Sequence, residues 1–365
     1  MSTNTSLLRA VSAVSILAAG AMLISTQVQS ADFSAKKVNL TVPLQEGGGS
    51  DHYARLFAPF MSQHLPGKPT LLVMNKPGGG GVKASNWFER SGKKDGSDFM
   101  VVSTSNLTGM VLGGTKIKYN LNKWRFIMLS PKGTVVYALP RTGATGKDIV
   151  ADVKAMRKVV MKHGAKNPTS AELRSFMAFD MLGFKIKPVF GLSTGKQRKA
   201  ILRGELDINY DSADAYLSKA HKYVKKGTIV QLMTLGYFAN GKIGRDPAFP
   251  ELPTFPEVYE KVTGKKPAGP MWDTYQHFFH MGVTASKAFA LPPGTPDSIL
   301  NTYVTAAKAT VNDPKFKKIA LKTLGTYEQS FGKDAQEVIK FAVDISPASK
   351  AFMAKWIKEQ FDVNI

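Results

Sequence analysis

The sequence predicts an α/β fold built on parallel strands, and three observations carry that expectation. Strand-like and helix-like runs alternate from residue 38 to residue 103, and parallel neighbours need such crossovers. A second alternating series begins near residue 158. Two strand–helix joins in the first series are glycine-rich elbows, Gly47-Gly48-Gly49-Ser50-Asp51 and Pro77-Gly78-Gly79-Gly80-Gly81. Such an elbow removes side chains where a ligand approaches and points free helix N–H groups at it, which favours an anion. Elbows in consecutive βα units fall at one edge of a parallel sheet, where open α/β folds bind ligands.

The elements follow in order. Val38 to Val42 alternates as a strand. Tyr53, Leu56, Phe57, Phe60, Met61 and Leu65 form one helical face, with Ser50 or Asp51 as N-cap and a kink expected at Pro59. Thr70 to Asn75 is apolar enough for a strand buried on both faces. After the second elbow come a short helix with Trp87 and Phe88, and then a strand from Phe99 to Ser103. The apolar stretch Arg125 to Leu139, broken at Pro131-Lys132-Gly133, reads as a strand leaving one domain and entering another. Strands follow at Lys158–Met161, Lys187–Phe190, Leu206–Tyr210 and Thr228–Leu235, with helices over Ser170–Leu182 and Gln197–Arg203. Thr169 and Glu172 suggest a capping box at the first of these helices. The proline-rich run Pro247 to Pro256 reads as a loop without regular structure. Helices then begin at Thr295-Pro296 and Asp313-Pro314, the latter ending at Gly325, with two more over Ala335–Val343 and Ser349–Phe361.

Composition narrows the function. The first residues read as a secretory leader: Arg9, an apolar stretch from Ala10 to Ile24, and a small-residue exit with cleavage expected after Ser30 or Ala31. That predicts an exported mature chain of about 334 of the 365 residues, enough for two domains. There is no cysteine, so disulfides and thiolate chemistry are excluded. The formal charge is +22, but the lysines are scattered singly or in pairs, as on a solvated surface that steers anions, and no nucleic-acid partner is expected.

Catalytic and cofactor motifs are thin. Gly79-Gly80-Gly81-Val82-Lys83-Ala84 fits the dinucleotide fingerprint, but the next strand ends in Ser103-Thr104-Ser105-Asn106 without the required acid. His277 and His280 stand in an aromatic run (Phe278, Phe279, Met281) that suits packing better than metal. No catalytic residue, metal or cofactor is assigned. A receptor for a small acid is therefore the expectation. The alternatives are an exported α/β enzyme, for which Glu46 and Asp211 would face each other across a cleft, and a sensor reporting a ligand for signalling.

Taken together, the motifs resemble a known family. Val42-Pro43-Leu44-Gln45-Glu46-Gly47-Gly48-Gly49-Ser50-Asp51 with Ala54-Arg55-Leu56 is similar to the opening of the substrate-binding receptors of tripartite tricarboxylate transporters, the Bug or TctC-like proteins. Asn75-Lys76-Pro77-Gly78-Gly79-Gly80-Gly81, Leu202-Arg203-Gly204-Glu205-Leu206-Asp207 with Tyr210-Asp211, Pro250 to Val258, and Leu291 to Pro296 resemble later signatures in the same order. The resemblance implies a two-lobed, type II-like periplasmic-binding-protein fold with a ligand cleft. Its lobes would be residues 32–130 with 250–365, and 131–249. It implies a small carboxylate ligand (a di- or tricarboxylate, an aromatic acid or an amino-bearing acid) and membrane transporter subunits as partners. Carried over, the ligand-binding candidates are Leu44, Gln45, Glu46, Gly47 and Ser50; Gly78, Gly79, Gly80 and Gly81; Ser105 and Asn106; Asn167, Thr169 and Ser170; and Asp211. Glu46 and Glu172 depart from the family pattern. Glu46 beside a carboxylate pocket would favour an acid bearing an amino group, whereas Lys166 would suit a second acid group. The stretch Trp272 to Phe289 looks longer than the family's equivalent.

Overall fold

The computed structural model describes residues 37–365 except 240 and 326, with backbone only at 322 and 323. The expected leader lies outside the described residues. The strands in chain order are β1 (Val38–Val42), β2 (Leu71–Asn75), β3 (Asp98–Ser103), β4 (Arg125–Ser130), β5 (Thr134–Ala138), β6 (Val160–Gly164) and β7 (Lys185–Val189). They continue with β8 (Ile208–Ser212), β9 (Val230–Thr234), β10 (Tyr237–Ala239), β11 (Lys242–Gly244), β12 (Lys287–Leu291) and β13 (Ser330–Phe331).

Two mixed sheets share one plan. The first has the order β13-β4-β12-β3-β1-β2, the second β7-β6-β8-β5-β9, and β10 and β11 form a separate hairpin. In the first sheet β1 runs parallel to β2 and β3, and β12 is antiparallel to β3 and β4. In the second, β6 runs parallel to β7 and β8, and β5 is antiparallel to β8 and β9. Each sheet is thus a parallel trio extended by a strand arriving from the other direction. The chain crosses between them at residues 131–133, where the broken apolar stretch had been expected to change domains, and returns before β12.

The first elbow leads into the helix Gly49–His64, which runs unbroken as one element through Pro59. Its N-cap is Gly48 and not Ser50 or Asp51. Asp51 is drawn back to the turn instead, where it accepts from the Gly47 amide at 3.0 Å and from Arg55 at 2.9 Å. Tyr53, Phe57 and Met61 are fully buried as the periodicity predicts, and Tyr53 stacks on Phe289 of β12 with centroids 4.7 Å apart. β2 is an edge strand with Leu72 exposed, not the doubly buried strand its apolar run suggests, because no later strand pairs beyond it.

Three other segments depart from expectation. The capping box at Thr169 does not form: the helix begins at Leu173, and Glu172 turns away to bond Lys166, Ser170 and Gln197. The proline run ends in the helix Phe255–Thr263, whose capping box joins Thr254 and Glu257. The aromatic stretch from residue 270 forms the helix Pro270–Phe279, a π-turn at His280–Thr284, and then β12. That helix packs on the helices Leu173–Met181 and Pro347–Phe361 and so joins the two sheets through one hydrophobic cluster. His280 sits there against Phe238, Phe279 and Phe341. Among the described residues no helix is long and apolar enough to cross a membrane, and no group of three metal-ligating side chains occurs.

The crossover after β4 is tightly fitted. A Cβ at Gly133 would lie 1.6 Å from Asp246 Oδ2 and 2.2 Å from Tyr327 Oη, and those two side chains are buried and joined by a 2.6 Å hydrogen bond. Gly133→Ala must therefore break that bond or shift the crossover. It is expected to cost about 1–3 kcal/mol, read as a lower urea midpoint with unchanged slope.

Candidate functional site

The six parallel strands all end at one place. Residues just beyond β1 (Leu44, Gln45), β2 (Pro77 to Gly80) and β3 (Thr104, Ser105) line a cavity of about 220 Å³ together with residues beyond β6 (Lys166), β7 (Gly191, Ser193) and at the end of β8 (Ser212). The antiparallel strands start where the parallel ones stop. Lys132, just before β5, and Lys287, the first residue of β12, consequently join the same wall.

Both elbows meet here. Gly48, Gly49 and Ser50 line the cavity, and the buried Ser50 hydroxyl has no partner. At the second elbow Gly78 to Gly81 all have positive φ, a run only glycine adopts without strain. Gly80 also approaches the second lobe closely: a Cβ there would lie 2.5 Å from Asn167 Nδ2. The third βα join presents Ser103, Thr104 and Ser105, with the helix Thr104–Leu112 held by a Ser103–Asn106 capping box.

The predicted site residues divide by position. Leu44, Gln45, Ser50, Gly78, Gly79, Gly80 and Ser105 line the cavity. Gly47 faces an adjoining cleft beside His52 and Lys219, and Glu46 is exposed on the loop outside the wall. Gly81 packs on Asn106, which is buried behind the wall and donates to Ser85 at 2.7 Å. Asn167, Thr169 and Ser170 form the turn behind Lys166: Asn167 Oδ1 accepts from the Thr169 amide at 3.0 Å, and Ser170 Oγ donates to Glu172 at 2.5 Å. Asp211 is buried one layer back. It accepts from Arg198 at 2.5 and 2.7 Å and from Tyr137 at 2.8 Å. Glu46 and Asp211 therefore do not face each other.

Sequence reasoning missed most of the charge. Lys132, Arg174, Arg198 and Lys287 all line the cavity, with Tyr210 beside them. The available signal was a cation inside an apolar run: Arg174 within Leu173 to Phe179, and Lys287 before Ala288-Phe289-Ala290-Leu291. Three of the cavity's cations are answered by carboxylates behind the wall. Lys132 pairs with Asp214 at 2.9 Å, Arg198 with Asp211, and Lys166 with Glu172. Burial alone would raise the Glu172 carboxyl, but the Lys166 ammonium and the bonds from Ser170 and Gln197 hold it down at about 2. Asp211 is pushed up by burial, which Arg198 only partly opposes.

The Lys166–Glu172 pair braces the cavity wall, and its loss is expected to show in stability. Glu172→Ala strands a largely buried ammonium and should cost about 3 kcal/mol at neutral pH. A depressed carboxyl contributes stability above its unfolded value and loses it as pH falls toward 2. The gap between wild type and Glu172→Ala in denaturant titrations should therefore close as the pH is lowered from 5 to 2.

Comparison with known proteins agrees with this geometry. No family model matches the chain. The chain is similar to a UPF0065 protein of Bordetella pertussis, 24% identical over 313 residues that cover 85% of this chain and 86% of that protein. Among solved structures it is similar to the periplasmic binding protein BugD, with TM-score 0.65 and 20% identity over 88% of this chain and 97% of that one. It is also similar to Rpa4515 of R. palustris with adipate, with TM-score 0.67 and 19% identity over 91% of this chain and 99% of that one. The chain therefore carries the two-lobed α/β fold of the periplasmic binding protein BugD.

Proposed function

We propose that this protein is an extracytoplasmic solute receptor that captures a small carboxylate between its lobes and delivers it to a membrane transporter of the tripartite tricarboxylate type. The observation that carries this is the cavity itself: strand ends from both sheets enclose it, and cations and helix starts line it. Its volume of about 220 Å³ is below that of pockets for drug-sized ligands, so the occupant is small. The adipate-bound neighbour supports a carboxylate as that occupant.

The lobes are taken as residues 32–130 with 250–365, and 131–249, the mature chain starting after Ser30 or Ala31 in the periplasm. Ser50, Gly78 to Gly80 and Ser105 are proposed as contacts from the first lobe, with Lys166 and the turn Asn167 to Ser170 framing the second. The lobes touch around the cavity, for example where the Ala171 amide donates to Ser105 Oγ at 3.4 Å. Opening and closing about the crossovers is a hinge motion in which ligand stabilises the closed form. Among the described residues no histidine lines the cavity, and the lining acids expected of an enzyme are absent from it, which favours binding over turnover.

Gly49 provides a clean test. Its φ is ordinary, and a Cβ there meets nothing within 4 Å, so a side chain would project into open space at the cavity wall. Gly49→Leu should change Tm by less than about 3 °C. It should also abolish the heat of carboxylate binding that wild type gives in calorimetry against mono-, di- and tricarboxylates, aromatic acids and amino acids. Wild-type silence across that panel, or turnover of any member, would remove the receptor assignment.

A further inference from the structure

The charges around the cavity do not cancel. Five cations line it, and Asp214, Glu172 and Asp211 behind the wall answer only Lys132, Lys166 and Arg198. No carboxylate among the described residues lies within ion-pair distance of Arg174 or Lys287.

Arg174 is held by neutral groups and forms no ion pair. It is 5% exposed, donates from Nη1 to the Ala171 carbonyl at 2.7 Å, and lies over the Tyr210 ring at 4.7 Å. Its Nε is buried without an acceptor. Room for this side chain is built into the fold. A Cβ at Gly282 would lie 2.5 Å from Arg174 Cδ and 2.7 Å from Nε, so the π-turn passes close only because it carries glycine there. Lys287 donates from Nζ to the Ser286 carbonyl at 3.1 Å. A buried arginine and a half-buried lysine, neither held in an ion pair, are costly in a low-dielectric wall, and an entering anion recovers that cost.

We propose that the ligand is a dianion and that Arg174 and Lys287 select it, one negative charge answering each. This rests on reading the cavity as the receptor's anion site and goes beyond it by fixing the ligand's charge. The electrostatics of the wall agree. Burial first, then Lys132, Lys166 and Arg174, push the Lys287 ammonium down to about 7, and Asp214 opposes them. A dianion beside it reverses that balance, so capture above pH 7 takes up a proton at Lys287. Affinity is then greatest below pH 7 and falls by up to about tenfold per pH unit above it.

Calorimetry on the full mature protein tests this with succinate, glutarate and adipate against butyrate, pentanoate and hexanoate. Sulfate serves as a compact dianion. The expected result is binding of a dianion at least about 30-fold tighter than its matched monoanion. Arg174→Gln and Lys287→Gln should each erase most of that ratio with thermal unfolding retained. Lys287→Arg should keep the ratio and flatten the dependence between pH 7 and 9, and buffers of different ionisation enthalpy should report proton uptake by wild type alone. If Arg174→Gln does not fold, Lys287→Gln and Lys287→Arg decide the matter. Equal affinity for mono- and dianions, or an unchanged ratio in Lys287→Gln, overturns the dianion and leaves the anion receptor standing. No binding of any probe overturns both.

Discussion

Everything at the site depends on one constraint of sheet geometry: the carboxyl ends of six parallel strands from two sheets face the same gap. A parallel βα unit must turn at the carboxyl end of its strand, and that turn exposes helix N–H groups. Six such turns in one place concentrate unpaired donors there without any side chain being spent on it. The antiparallel strands β5 and β12 run the other way, so their first residues arrive at the same gap. That is why Lys132 and Lys287, far apart in sequence, face one cavity with Lys166 and Arg174.

Positive charge collected this way has to be managed. Main-chain dipoles, lysines and arginines all point one sign at a small volume, and in a poorly solvated wall each raises the cost of the next. The protein meets part of this cost with carboxylates held one layer back. Asp211 and Glu172 are buried and Asp214 is half-buried, none lines the cavity, and each grips one cation from behind. Counter-charges placed there fix the cations' positions while leaving their outer faces toward the cavity. An acid at Glu46 would have worked against an anionic ligand, and the exposed loop carries it out of range.

Much of the frame was legible from the sequence because it follows from local rules. Period-2 and period-3.6 patterns marked β1, β3, the helix Gly49–His64 and the C-terminal helices, and the glycine runs marked the two elbows. The charged half of the site was not legible, for reasons that are tertiary. Arg174 reaches the cavity only because Gly282, more than a hundred residues later, makes room for it. Lys287 reaches it only because β12 inserts between β3 and β4, and an aromatic run such as Tyr275 to Phe289 does not announce where helix gives way to strand. Glu172 shows the reverse failure. A perfect local capping signal at Thr169 is overridden by the stronger pull of the Lys166 ammonium inside the wall.

The two unanswered cations also sit on different bodies of the fold. Arg174 belongs to the helix that follows β6, and Lys287 to a strand of the first sheet. Their repulsion therefore acts across the gap and opposes closure, whereas the Ala171–Ser105 contact draws the halves together. An anion between the two cations changes the sign of the first contribution and leaves the other as it was. Since a ligand shifts a conformational equilibrium only by its differential interaction with the two states, the charge that recognises the ligand is also the charge that makes closure conditional on it. A neutral wall of the same shape would close nearly as well when empty.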